Sequence, residues 1–168
     1  MTDDLELTPV SGLRLTWDCQ AVPDYANDTG AADPAWSLRE PLARDVAALR
    51  VLTAALPDGT LLLVAGARPE GAEAHDAEAL SGLLVEPGSD PRPVERVLVS
   101  TEYAQDGSIR RLGLEFFLPG EDFPLRAAGD PVGQGSSDGE VGRRDFVRLR
   151  FRLDGGEGSA VHELVRPA

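Results

Sequence analysis

The chain has 168 residues, 42% of them hydrophobic and 27% charged, which is enough for one domain with a proper core and too apolar for a disordered chain. Its net charge of −13 and pI near 4.5 argue against a nucleic-acid binder, whose contact face is basic, and against docking on an anionic membrane. No run approaches the ~18 apolar residues of a membrane helix, and Cys19, the single cysteine, has no partner for an intramolecular disulfide.

Met1 to Val10 reads as an acidic lead-in, with neither the basic nor the apolar region of a signal peptide. A cytoplasmic protein is the expectation. Leu13 to Val22 alternates and forms the first strand, with Cys19 on the same side as Leu13, Leu15 and Trp17 as a buried structural thiol. Pro23 to Pro41 is a long loop that carries Tyr25 and Trp36. Two readings stand for these aromatics: they cap an open barrel end, or they line a ligand mouth or an interface.

Asp45 to Leu56 and Leu61 to Ala67 form strands around the turn Pro57-Asp-Gly-Thr60. The second of them is apolar on both faces, so its outer face is covered, either by N-terminal chain or by a second subunit. Ala79 to Val85 is a short strand after an acidic segment.

Val94 to Tyr103 and Ile109 to Leu118 alternate around Asp106-Gly107, a strong hairpin signal. A type I′ turn there pairs Val97 with Phe116, Val99 with Leu114, Thr101 with Leu112 and Glu102 with Arg111. Phe123 to Ala128 is a candidate strand, and Gly129 to Gly142 is Gly/Ser-rich and read as a mobile connection.

Phe146 to Leu153 has strict period-2 alternation, with Val147, Leu149, Phe151 and Leu153 on one face and Arg148, Arg150 and Arg152 on the other. Centring the turn on Gly155-Gly156 pairs Leu149 with His162, Phe151 with Ala160 and Arg148 with Glu163. The arginines are then a solvent face partly paired with Glu163, or, with the sheet inverted, an anion-binding lumen.

These elements predict a single all-β domain over residues 1–168: an antiparallel lipocalin-like β-barrel or half-open β-sandwich of about eight or nine strands. All 16 basic residues are Arg, a usage that fits a GC-rich bacterial coding bias.

Chemical motifs are sparse. The Gly129–Gly142 segment matches neither a dinucleotide fingerprint nor a P-loop. His75-Asp76 with Glu73 and Glu78 fits no standard zinc spacing and reads as a solvated acidic loop. Asp24, Asn27, Asp28 and Gly30 are out of register for a calcium loop. No metal and no cofactor is expected. His162 lies on an apolar face, either as a hydrogen-bonded core histidine or as a lone polar group in a ligand cavity. Tyr25, Trp36, Tyr103, Phe151 and His162 form the candidate ligand-binding set.

Several stretches together resemble a family. They are Asp33-Pro-Ala-Trp36, the hairpin around Pro57-Asp-Gly-Thr60, Leu80-Ser-Gly-Leu83, Pro93-Val-Glu-Arg-Val-Leu-Val, Asp106-Gly-Ser-Ile-Arg, and Asp154-Gly-Gly-Glu-Gly-Ser-Ala-Val-His-Glu163. From Trp36 to Pro167 the chain resembles the C-terminal half of AttH-like proteins, lipocalin-like double barrels related to hydroxyneurosporene synthase and carotenoid hydratases. The resemblance implies a barrel and greasy metabolites as ligands or substrates. Members of the family usually carry two such halves, and this chain has the length of one. The His/Asp cluster expected ahead of Trp36 is absent, so no catalytic residue carries over.

Three functions follow. The first is non-catalytic binding of a small apolar metabolite. The second is a homodimeric structural or interaction module, and the third a hydratase- or cyclase-type enzyme acting on a hydrophobic metabolite. Neither nucleic acid nor membrane is expected as a partner.

Overall fold

The computed structural model describes residues 4–10, 13–19, 34–71 and 79–167, and contains no helix among them. Its strands are β1 (Asp4–Val10), β2 (Leu13–Asp18), β3 (Trp36–Leu38), β4 (Val46–Ala55), β5 (Leu61–Pro69), β6 (Ala79–Val85), β7 (Arg92–Tyr103), β8 (Ile109–Phe117), β9 (Leu125–Asp138), β10 (Gly142–Leu153) and β11 (Gly156–Pro167). Strands β4 to β11 run as an antiparallel meander, and β11 pairs with β4 to close an eight-stranded barrel. The barrel is closed rather than a half-open sandwich. The remaining three strands form a separate sheet in the order β1-β2-β3.

Period-2 alternation gives the barrel wall two faces. Inward-pointing Leu52, Leu62, Val64, Leu112, Leu114, Phe116, Leu149 and Phe151 fill the middle of the barrel. Outward-pointing Leu49, Val51, Leu63, Ala65 and Val165 pack under Leu15, Trp17 and Trp36 of the small sheet. Each fully buried aliphatic or aromatic side chain is worth about 1.5–3 kcal/mol, so both interfaces are substantial. This arrangement accounts for the doubly apolar β5: one face lines the barrel and the other lies under the chain's own β1–β3 sheet. The indole Nε1 of Trp17 donates to Thr53 Oγ1 at 3.0 Å and ties sheet to barrel.

The first hairpin keeps the predicted pairs Val99–Leu114, Thr101–Leu112 and Glu102–Arg111. The expected Val97–Phe116 pair is absent, because the register shifts between Glu95 and Leu98, where Arg96 has φ 51°. Its turn also differs from type I′. Gly107 N–H donates to Ala104 O at 3.0 Å, Ala104 N–H donates to Ser108 O at 2.8 Å, and Gly107 has φ 84°. That is a three-residue loop with a glycine bulge.

The two-residue type I′ turn occurs instead in the last hairpin, at Asp154 (φ 46°) and Gly155 (φ 79°). It lies one residue earlier than the Gly155-Gly156 reading, so every pairing moves by two. Leu149 faces Ala160, Phe151 faces Gly158, Val147 faces His162, and Glu163 faces Phe146 rather than Arg148. A shift of two preserves the faces, and His162 still points inward.

Three further expectations change. The acidic lead-in contributes β1, an edge strand where Pro9 is tolerated. The connection read as mobile, 129–142, is extended β-structure: its first part belongs to β9, and β10 begins at Gly142. Its glycines leave room for neighbouring side chains. A Cβ at Gly135 would lie 2.7 Å from the Phe146 ring, and one at Gly129 would lie 3.0 Å from Leu149 Cδ1. Cys19 is partly exposed, not buried.

Candidate functional site

The barrel interior changes character along its axis. Toward the end that holds the β7–β8 and β9–β10 turns, inward positions become polar: Arg50 on β4, Gln134 and Ser136 on β9, Asp145 on β10, and His162 and Arg166 on β11. These side chains, with Val147, Leu164, Ile109 and Tyr103, line an open cavity of about 520 Å³. Arg50 and His162 are buried at its base, while Tyr103 and Arg166 are exposed at its rim.

At the base, Arg50 Nη1 lies 2.9 Å from His162 Nε2. A guanidinium is a donor only, so Nε2 accepts and the ring proton sits on Nδ1. His162 therefore takes the hydrogen bond as a neutral imidazole. Protonating Nε2 would break this bond and place two cations side by side.

At the rim, Asp145 Oδ1 accepts from Ser136 Oγ at 2.6 Å and from Arg143 Nε at 3.2 Å, and Oδ2 accepts from Arg166 Nη1 at 2.5 Å. The Ser136 hydrogen bond, followed by those from the two arginines, holds the Asp145 carboxyl below the usual aspartate range.

A second polar cluster lies on the outer face, beneath the small sheet. Glu163 Oε2 accepts from Trp36 Nε1 at 2.6 Å, and Oε1 accepts from Arg144 Nε. All three side chains are buried, and the Arg144 guanidinium lies 4.7 Å from the centroid of the Phe146 ring. Burial pushes the Glu163 carboxyl up, while Arg144 and the Trp36 hydrogen bond pull it back. The expected Arg148–Glu163 pairing is thus replaced by Arg144–Glu163. Of the remaining arginine comb, Arg150 lies 3.6 Å from Glu157 and Arg152 lies 2.9 Å from Asp130, both exposed.

Of the residues singled out from sequence, His162 and Tyr103 meet in the mouth cavity. Phe151 lies in the packed barrel core, 1% exposed, away from the cavity. Trp36 sits on the outer wall against Glu163 and lines a separate cleft of about 430 Å³ beside the β9–β10 turn. Tyr25, the Asp24–Gly30 stretch and the His75 cluster lie outside the described residues. Among the described residues no group of three His, Cys, Asp or Glu could hold a metal ion.

Sequence reasoning missed Arg50, although a cation inside Leu49-Arg-Val-Leu52 was a visible interruption. It also missed Ser136 and Asp145, which only the long β9–β10 pairing brings to the mouth.

A larger groove, about 730 Å³, lies on the outside of β7 to β10 beside Leu98. Charged side chains there and nearby pair with one another, Arg126 with Glu115 at 3.6 Å and Arg152 with Asp130.

The closed meander with a packed middle and a polar mouth defines a lipocalin-like barrel of the AttH-like fold. One solved structure with this likeness is a provisionally assigned AttH from Nitrosomonas europaea, with a TM-score of 0.54 and 20% identity over 78% of this chain. The chain spans 42% of the length of that protein. No family model and no curated protein matches the sequence.

Proposed function

We propose that this barrel binds a small, largely apolar metabolite at its open mouth, without catalysis. The observation that carries the reading is the cavity of about 520 Å³, in which apolar Val147, Leu164 and Ile109 meet a few converging polar groups. Small-molecule sites of ~300–1,000 Å³ commonly have this mixture, in which apolar area supplies affinity and a few polar groups fix orientation. The packed core beneath confines the ligand to the mouth instead of threading it through the barrel.

Native mass spectrometry of the purified full chain tests the reading. A bound small molecule that survives gentle conditions and is lost on denaturation supports it. A ligand-free spectrum, together with no uptake of short-chain alcohols or acids by calorimetry, would refute it.

A further inference from the structure

We infer that the barrel has a second ligand site at its other end, for an alkylammonium: a cationic head held among Asp58, Glu121 and Asp154 at the rim, and an aliphatic chain laid on the leucines beneath. This goes beyond the reading of the mouth and does not depend on it.

The meander places four connections at this end, 56–60, 86–91, 118–124 and 154–155, all among the described residues. They surround an open cavity of about 380 Å³. Its apolar lining is Leu56, Leu84, Leu118, Leu125 and Leu153, the last layer of the barrel core. Phe123 lines it too, and at 83% is the most exposed large apolar side chain among the described residues. A tight turn presents that ring: Glu121 N–H donates to Leu118 O at 3.1 Å, Gly120 has φ 81°, and Pro124 follows. A single exposed apolar residue is ordinary, but one continuous with a leucine-lined cavity extends its contact area.

Charge sets the class of ligand. Each of the four connections adds a carboxylate to the lining: Asp58, Glu86, Glu121 and Asp154. The guanidinium in that lining, Arg92, pairs with Glu86. Arg150 and Arg152, close in sequence, pair outside with Glu157 and Asp130. All 16 basic residues of the chain are arginines that lie among the described residues, so the undescribed stretches bring no arginine or lysine to this rim. Two of the remaining carboxylates are fixed in place. Thr60 N–H donates to Asp58 Oδ1 at 2.8 Å and keeps that carboxyl below its usual range, and the type I′ turn sets Asp154 at φ 46°.

An ammonium head gains from these carboxylates and from the Phe123 ring, since both attract a cation. A carboxylate or phosphate head meets like charge from every connection. Each methylene laid on the leucines adds apolar burial, and the volume falls within the ~300–1,000 Å³ of small-molecule sites.

The test is isothermal titration of the full chain with octylammonium chloride and with 1-octanol, at neutral pH and low, fixed salt. Glu121→Gln combined with Asp154→Asn should weaken octylammonium by about fivefold, the joint effect of two rim charges, and leave 1-octanol within about twofold of wild type. Both positions are exposed, and asparagine tolerates the left-handed backbone at 154, so the fold is kept. Phe123→Ala should weaken octylammonium by about threefold. Glu40→Gln combined with Glu70→Gln, two exposed acids outside the lining, should leave it within about twofold.

No binding of octylammonium would overturn the inference. So would an affinity unchanged in both rim variants, or an equal loss in Glu40→Gln with Glu70→Gln, which would show a general pull of the −13 chain on cations. Equal losses of octylammonium and 1-octanol in Glu121→Gln with Asp154→Asn would trace the effect to packing and overturn it as well. Each of these failures leaves the mouth reading untouched, because none of the rim residues lines the mouth.

Discussion

Removing Glu163 is the sharpest test of how the small sheet is held. Its carboxylate is buried between barrel and sheet, accepting from Trp36 Nε1 at 2.6 Å and from Arg144. Deleting one partner of a buried ion pair costs about 3–5 kcal/mol, because the other charge stays buried without that counter-charge. For a chain of this size each kcal/mol lowers Tm by about 2–4 °C, so Glu163→Ala should lower it by roughly 6–20 °C. The cost should not be additive. Arg144→Met in the Glu163→Ala background removes the buried charge and should recover about 1 kcal/mol or more, within the usual range for coupled neighbours. Urea unfolding followed by far-UV circular dichroism measures both. Tryptophan fluorescence adds a second probe, because the two tryptophans of the chain, Trp17 and Trp36, are both buried in the sheet–barrel interface. A loss under about 1 kcal/mol in Glu163→Ala, or strict additivity in the double variant, would refute the argument.

Asp145, whose carboxyl lies below its ordinary value, contributes stability that is present above the unfolded aspartate range and lost as pH falls through the folded value. Asp145→Asn should therefore be less stable than wild type at neutral pH, and the two denaturation curves should converge in acid. A gap that persists undiminished at low pH would contradict this. Gly158→Ala should be severe, at about 3 kcal/mol, because its Cβ would lie 2.1 Å from the backbone oxygen of Ala55 at the β11–β4 seam that closes the barrel. Gly155→Ala, at φ +79° with nothing within 4 Å, should cost only the left-handed strain of about 1–2 kcal/mol. Thermal melts in the opposite order would show that the seam can open to admit a methyl group.

The barrel was legible where turn chemistry and alternation reinforced each other. Val99, Thr101 and Glu102 found their predicted partners because the Asp106-Gly107 loop and the apolar face specify one register. In the last hairpin the apolar face tolerated a slip of two, and only the turn could choose. The Asp154-Gly155 dipeptide won over Gly155-Gly156, and Glu163 thereby met Phe146 and Arg144 instead of Arg148. Strand β9 was hidden for a different reason. Its glycines look like linker composition, but they are set by the bulk of Phe146 and Leu149 on the next strand, which no local window contains. The mouth was half legible. His162 and Tyr103 stand out as polar or aromatic residues in apolar strands, whereas Ser136 and Asp145 acquire meaning only once β9 and β10 are paired.

Alternation also links the mouth to the outer sheet. Along β11, His162 faces the cavity while its neighbours Val161 and Glu163 face outward. Along β4, Arg50 faces the cavity while Leu49 and Val51 pack under the sheet. The two strands are joined in register, His162 opposite Leu52 and Leu164 opposite Arg50. The backbone that sets the 2.9 Å Arg50–His162 contact is therefore held from outside by Trp36, Glu163 and the apolar sheet. A site held to within ~0.5 Å by its support loses function when that support loosens. Trp36→Phe keeps the apolar ring, removes the donor to Glu163, and lies on the opposite side of the wall from the cavity. It should weaken uptake of a short-chain alcohol or acid at the mouth by about threefold to tenfold in calorimetry, a loss of under about 1.4 kcal/mol. No change in binding would show that the two faces of the wall act independently.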